Sequence, residues 1–299
     1  MRLDAYLGPE GPTLVVHAPA KLNLFLEVLG RRGDGFHELE TLMVTVSLHD
    51  TLRFTEEPTP AIRLRCHGRG DLSEVPSGDD NLVVRAARLL QEHTGTSRGA
   101  RIDLWKRIPV AAGLAGGSTD AATTLVALDR LWELDLAPEE LSSLAARLGS
   151  DVAFFVSGVP AAICRGRGEE IHPVRLPLGL PVVIARPSGG LSTAEVFRHC
   201  QLAASPRSVQ PLIDALATGR IAAASRLLHN SLQPTAEALK PEIQQLITHL
   251  SHQPLLQPLM TGSGTACFGL CVSHRLAHRT ARRLRGQGLA HVVAGRLGT

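Results

Sequence analysis

The sequence predicts an α+β protein of two domains, and three observations predict it. Strand-period runs fill the first part of the chain, a glycine-rich turn then feeds a long apolar helix, and the remainder alternates short strands with helices. At 299 residues and 44% apolar content the chain exceeds one simple core and can bury two. Turn-forming residues gather at 157–160 and again at 173–181. The boundary is placed there, giving an N-terminal domain 1–160 and a C-terminal domain 161–299.

Each element has its own signal. Leu22, Leu24, Leu26 and Val28 alternate with Lys21, Asn23, Phe25 and Glu27, a two-residue period that puts Lys21 and Asn23 on one strand face. Further strands are expected over 40–49, 51–54, 62–66 and 101–106. In the third of these, Ile62, Leu64 and Cys66 alternate with Arg63 and Arg65, which gives the sheet one wet side. After a turn-rich loop at 68–78, Asp80 or Asn81 opens a helix carrying Leu82, Ala86, Leu89 and Leu90. The glycine-rich turn and long helix occupy 108–134, and Pro138, Glu139 and Glu140 open the next helix, which stops near Gly149.

Beyond the boundary a short strand is expected at 182–185, and helices at 193–200, 209–217, 221–228 and 241–250. Strands at 259–261 and 266–272 are joined by Gly262-Ser263-Gly264. Ser273 caps a helix with Leu276, Thr280 and Leu284 at four-residue spacing, and 291–294 is the last strand. This half reads as a sandwich with its sheet covered on one face.

Composition narrows the function. A formal charge of +3 calls for neither nucleic acid nor membrane, and seven Phe, two Trp and one Tyr are too few for the stacking platforms of single-strand binders. Arg275, Arg279, Arg282, Arg283 and Arg285 form either the solvated face of a helix or an attractor for anionic ligands. Five scattered cysteines without a Cys-x-x-Cys pair fit a reducing cytoplasm. No leader and no membrane span is expected. His249 with His252 and His274 with His278 have helical spacing but no carboxylate partners at ligand spacing, so no metal site is expected.

Chemistry concentrates in Pro109, Val110, Ala111, Ala112, Gly113, Leu114, Ala115, Gly116, Gly117, Ser118 and Thr119, which run directly into a helix. Such a loop lets backbone N–H groups converge on phosphate at a helix N-terminus; the alternative is an ordinary turn capped by Ser118 or Thr119. It lacks Gly-Lys-Ser, so a cation must come from elsewhere. Lys21 can supply it, or else be a solvated lysine. Asp151, between Gly149 and the apolar run 152–155, is either a cap or a general base. Gly262-Ser263-Gly264 alone is an ordinary hairpin turn.

Residues 19–24, 109–121 and 259–269 resemble, in order, the three motifs of the galactokinase, homoserine kinase, mevalonate kinase and phosphomevalonate kinase (GHMP) superfamily. The segment 30–39, with Asp34-Gly-Phe-His37, is similar to the branch acting on a cytidine diphosphate-linked methylerythritol. The resemblance implies a two-domain fold: an N-terminal mixed sheet with helices and a left-handed βαβ unit, then a C-terminal ferredoxin-like sandwich. It implies a cytoplasmic, ATP-dependent kinase phosphorylating the 2-hydroxyl of that substrate, with Mg2+ carried by ATP, and a monomer or weak homodimer.

By the same resemblance Asp151 is the general base and Lys21 the cation beside it, while 109–119 holds the ATP phosphates with Ser118 near the metal. Asn81 and Lys106 fall near the adenosine. His37 matches the ligand of the cytosine edge, Phe36 and Phe197 the rings around the base, and Asn23 and Thr193 further substrate contacts. The text departs from the family pattern in having alanine at 111, 112 and 115, expected in right-handed conformations, and Phe36 where Tyr is common.

Overall fold

The computed structural model describes residues 3–8, 11–68, 75–76, 78–177 and 179–298, and side chains from Pro12 onward within these. Most of the loop at 68–78 lies outside the described residues. In chain order the strands are β1 (Leu3–Gly8), β2 (Gly11–Arg31), β3 (His37–Glu57), β4 (Ile62–Gly68), β5 (Gly99–Lys106), β6 (Ala161–Gly166), β7 (Glu170–Pro173), β8 (Pro181–Arg186), β9 (His229–Asn230), β10 (Leu256–Met260), β11 (Cys267–Leu270) and β12 (His291–Arg296). The helices are α1 (Leu82–Thr94), α2 (Gly116–Leu131), α3 (Pro138–Leu148), α4 (Ser150–Val156), α5 (Thr193–His199), α6 (Gln210–Ala217), α7 (Ile221–Ser225), α8 (Gln233–Leu239), α9 (Glu242–Ser251) and α10 (His274–Gly286).

The chain folds into two compact units: residues 1–20, 49–110 and 115–159 form the first, and 21–48, 111–114 and 160–299 the second. In the first, β1 pairs antiparallel with the start of β2, and the end of β3 pairs antiparallel with β5 from Thr51↔Trp105 to Glu57↔Gly99. β5 lies parallel to β4, and α1 makes the crossover between them, so this is a mixed sheet with a βαβ unit. Burial alternates along β4, leaving Arg63 and Arg65 exposed, as the two-residue period demands. α1 packs on α2, which packs on α3 and α4, and the apolar faces meet in a core holding Val83, Leu90, Ile102, Leu104, Leu125 and Leu128.

The second unit contains a four-stranded antiparallel sheet in the order β10-β11-β8-β12. Taken with α9 between β8 and β10 and α10 between β11 and β12, this is the ferredoxin-like order of a βαββαβ chain. Ile243, Leu246 and Leu250 of α9 and Ala277, Ala281 and Leu284 of α10 close one core with Val183, Cys267 and Val292. The arginines of α10 all lie on its exposed side, the solvated-face reading of that cluster. The start of β3 pairs antiparallel with β6, which pairs with β7, and the end of β2 runs parallel to β9.

Several elements differ from expectation. β3 is one strand, not two, because Asp50 at its middle is stabilised by backbone N–H groups and an ammonium rather than breaking the strand. Glu27 is buried on β2, where its Oε2 accepts from Arg207 N at 2.9 Å and pairs with His229 Nε2 at 3.1 Å. The four short elements α4, β6, β7 and α8 carry too few residues for a period to show.

Candidate active site

The first unit holds the entry and the helical end of the glycine-rich loop. As β5 ends, the Asp50 carboxylate accepts the backbone N–H groups of Arg107 and, at 2.8 Å, Ile108, which fixes the turn. Asp50 also pairs with Lys106, and the same ammonium donates to Asp120 Oδ2 at 2.7 Å. Lys106 is thus held by two carboxylates whose side chains are fully or almost fully buried. Burial pushes the Asp120 carboxyl up to about 7; Lys106 opposes this and the Asp50 charge adds to it.

α2 begins without a side-chain cap. Its N-cap is Ala115 (φ 57, ψ 36), and Ser118 and Thr119 lie inside the helix rather than before it. The ordinary-turn reading, in which one of those hydroxyls caps the helix, is therefore excluded. Ala115 offers no side-chain oxygen to the first-turn N–H groups, where the helix dipole is positive. The alanine expectation needs correction at two positions: Ala111 (φ 49) and Ala115 (φ 57) are left-handed. A Cβ in that conformation costs roughly 1–2 kcal/mol, so the loop is held there by its surroundings.

Asn81, expected near the adenosine, caps α1. Its Oδ1 accepts from Val83 N at 2.9 Å and its Nδ2 donates to Pro76 O at 2.7 Å. Asp151 stands in the first turn of α4, where its charge matches the helix dipole, and α4 packs on α2.

The second unit assembles around Lys21. The ammonium donates to Asn23 Oδ1 at 2.6 Å across one strand face, as the alternation predicts, and both side chains are buried. Asn23 is itself fixed: Nδ2 donates to Thr41 Oγ1 at 2.8 Å, and its backbone N–H to Thr261 Oγ1 at 2.9 Å. The four loop residues of this unit, Ala111, Ala112, Gly113 and Leu114, are tied down by Lys21 N to Leu114 O (3.2 Å) and Ala266 N to Ala112 O (3.0 Å). Gly113 (φ 74) leaves no room for a side chain, since a Cβ there would lie 2.3 Å from Thr261 O.

Gly262-Ser263-Gly264 does join two antiparallel strands, but it is no ordinary hairpin turn. Thr261, Ser263, Thr265 and Ala266 are all buried, where turns normally face water. A Cβ on Gly262 would meet Gly113 O at 3.1 Å and Lys21 Nζ at 3.3 Å, so the turn reaches both the loop and the lysine. Asn230, which sequence reasoning missed, pins it by donating to Met260 O and Gly262 O, each at 2.8 Å. Thr193 bonds Ser263 Oγ at 2.8 Å from the start of α5.

The aromatic residues gather in the same unit. His37 and Phe197 stand 5.2 Å apart between ring centroids, tilted by 35°. Phe197 also packs against the core. Burial and the nearby Arg31 lower the His37 pKa and favour the neutral ring. Its Nε2 is buried with no hydrogen-bond partner. Phe36 is half exposed.

An uncapped helix start, an anchored lysine and a ring pair with an unsatisfied imidazole suit a nucleotide-dependent transfer. Residues 81–159 match the GHMP kinases N terminal domain, and 212–289 the GHMP kinases C terminal. The 4-diphosphocytidyl-2-C-methyl-D-erythritol kinase of Bacillus velezensis is 42% identical over 270 residues, which cover 90% of this chain and 92% of that one. The chain belongs to the GHMP kinase family, in the 4-diphosphocytidyl-2-C-methyl-D-erythritol kinase branch. A crystal structure of a 4-(cytidine 5'-diphospho)-2C-methyl-D-erythritol kinase superposes with a TM-score of 0.78 at 38% identity, covering 95% of this chain and 99% of that one. The homoserine kinase of Cytophaga hutchinsonii shares the GHMP fold, with a TM-score of 0.71 over 99% of this chain and 97% of its own, at 18% identity.

Proposed function

We propose that this GHMP kinase transfers the γ-phosphoryl group of ATP to the 2-hydroxyl of 4-diphosphocytidyl-2-C-methyl-D-erythritol. The observation that carries the reading is the start of α2, whose N-cap residue Ala115 makes no side-chain capping bond. Asp151 accepts the hydroxyl proton, and Lys21 lowers the proton affinity of that oxygen. Asn23 aims Lys21, and Thr193 reaches the acceptor from the turn it shares with Ser263. The neutral His37 reads the cytosine edge with its unpartnered nitrogen, and Phe36 and Phe197 flank the base.

Transfer of this kind asks the protein mainly to position reactants and balance charge. Mg2+, when bound, neutralises phosphate charge. Ser118 offers the kind of hard oxygen that suits it, and the rest of its shell comes from ATP and water. By the resemblance Asn81 and Lys106 lie near the adenosine, with Asn81 held by Val83 N and Lys106 by Asp50 and Asp120. The five cysteines are free thiols, which supports a cytoplasmic enzyme; we propose that it acts alone or as a weak homodimer.

A coupled assay of ADP release tests the reading. The cytidyl acceptor should be turned over, and mevalonate and homoserine, which have no pyrimidine to stack, should not. Turnover of either small alcohol at a comparable kcat/KM, with no competition from cytidine 5'-diphosphate, overturns it.

A further inference from the structure

Phe36 stands on a turn that is rigid for reasons of its own. Its N–H donates to Asp34 Oδ1 at 3.1 Å, its carbonyl accepts from Arg32 N at 2.8 Å, and Arg32 pairs with both Asp34 and Glu38. Phe36 is left 50% exposed on that support. One of its faces is already met. The guanidinium of Arg167 lies over the ring, 4.7 Å from the centroid.

Arg167 is delivered there by a turn equally fixed. β6 pairs with β3 as far as Gly166↔Leu39, so the next residue arrives beside the segment that carries Phe36 and His37. Gly166 (φ 67) turns the chain, Gly168 N donates to Arg165 O at 2.9 Å, and Glu169 receives Arg167 N at 2.6 Å and Arg167 Nε at 3.4 Å. The carboxylate thus holds both ends of the arginine, and its guanidinium plane reaches the ring with little freedom left to lose.

We infer that Arg167 is a positioning residue for the pyrimidine of the acceptor: it covers one face of Phe36, holds the ring in place and leaves the opposite face to the base. The stack is then Arg167, Phe36 and base in series, with His37 and Phe197 beside it. The inference rests on the assignment of Phe36, His37 and Phe197 to the cytidyl group under Proposed function. An arginine serving the ring differs in a measurable way from one serving the substrate's diphosphate, because only the former acts on a nucleoside without phosphate.

The experiment titrates cytidine 5'-diphosphate and cytidine by calorimetry into the wild type, Arg167→Ala, Arg167→Lys, Phe36→Ala and the double variant. Arg167→Ala should weaken both ligands by about two- to fivefold, the size of an exposed cation–π pair. Arg167→Lys should restore part of the loss. Phe36→Ala should weaken both ligands more, by about fivefold or above, and adding Arg167→Ala to it should change nothing further. The acceptor KM should follow these affinities while kcat and the KM for ATP stay level. Wild-type affinity for both ligands in Arg167→Ala overturns the inference, as does a loss confined to the diphosphate; a loss in Phe36→Ala would in either case leave the base assignment standing. Failure of the wild type to bind either ligand overturns that assignment together with the inference.

Discussion

Two lysines, one in each unit, end in buried polar surroundings, and they differ in what holds them. Lys106, at the end of β5, sits between the carboxylates of Asp50 and Asp120. Lys21, in β2, donates to the neutral amide of Asn23 at 2.6 Å, and Thr41 and Thr261 fix that amide in turn. An ammonium between two carboxylates has its charge compensated where it stands, and the three groups tie β3, β5 and α2 together beside the glycine-rich turn. The Asn23 amide gives Lys21 a direction. The first arrangement suits a strut, and for Lys21 we propose a part in the transfer.

The sharpest way to break this contrast is to remove the acting groups. Lys21→Met and Asp151→Asn should each lower kcat by about 10²–10⁴-fold while leaving the affinity for ATP unchanged. Full turnover in either variant would remove that residue from the transfer. Lys106→Met should act on folding instead. It strands two buried carboxylates, and urea unfolding should show a loss of about 3–5 kcal/mol. Adding Asp120→Leu should recover part of it, since an apolar side chain beside the introduced methionine suits the site better than an unpaired charge. An unchanged unfolding midpoint with a raised KM for ATP would instead make Lys106 an adenosine contact.

In the sequence the two lysines share one local signal, since each lies in an alternating strand. What separates them is Asp50 and Asp120, 70 positions apart in the chain and meeting only through the fold. The available signal was an acid in an apolar setting: Asp50 between Leu48 and Leu52, and Asp120 at the head of a helix of small apolar residues. The fold was legible where elements are long enough to show a period, as in α1, α2, α10 and the alternating part of β2. It was not legible in α4, of seven residues, nor in β6 and β7, whose formation depends on β3 as a template. The turn into α2 could be read from its glycines, but the left-handed alanines could not, because local preference argues against them and only the packed surroundings impose them.

Protonation sharpens the comparison further. Burial raises the Asp120 carboxyl to about 7, so between its ordinary value and that pH the folded protein holds a proton that the unfolded chain has released. A raised carboxyl stabilises fully at low pH and loses that contribution as pH rises through about 7. Asp120→Asn mimics the protonated form and removes the dependence. Its stability relative to wild type should therefore improve from pH 5 to pH 8, on the order of 1 kcal/mol per pH unit where the change is steepest. A difference that stays flat with pH would mean that Lys106 keeps Asp120 ionised throughout and that the strut is a plain ion pair.

The smallest effect concerns the backbone at the start of α2. At Ala115 the chain is left-handed, so Ala115→Gly relieves a strain of roughly 1–2 kcal/mol against an entropy cost of roughly 0.5–1 kcal/mol for the freer unfolded chain. The net change should be neutral or stabilising by up to about 1 kcal/mol. Ala121→Gly, a few residues on in the interior of α2, should cost about 1 kcal/mol or more, because there the alanine is both in a helical conformation and fully buried. The two substitutions are chemically identical and lie in one segment, so their opposite signs in denaturant unfolding isolate the conformation itself. Equal losses at both sites would mean that Ala115 carries no strain, and that the uncapped start of α2 is an intrinsic preference of its sequence rather than a shape imposed by the packing around it.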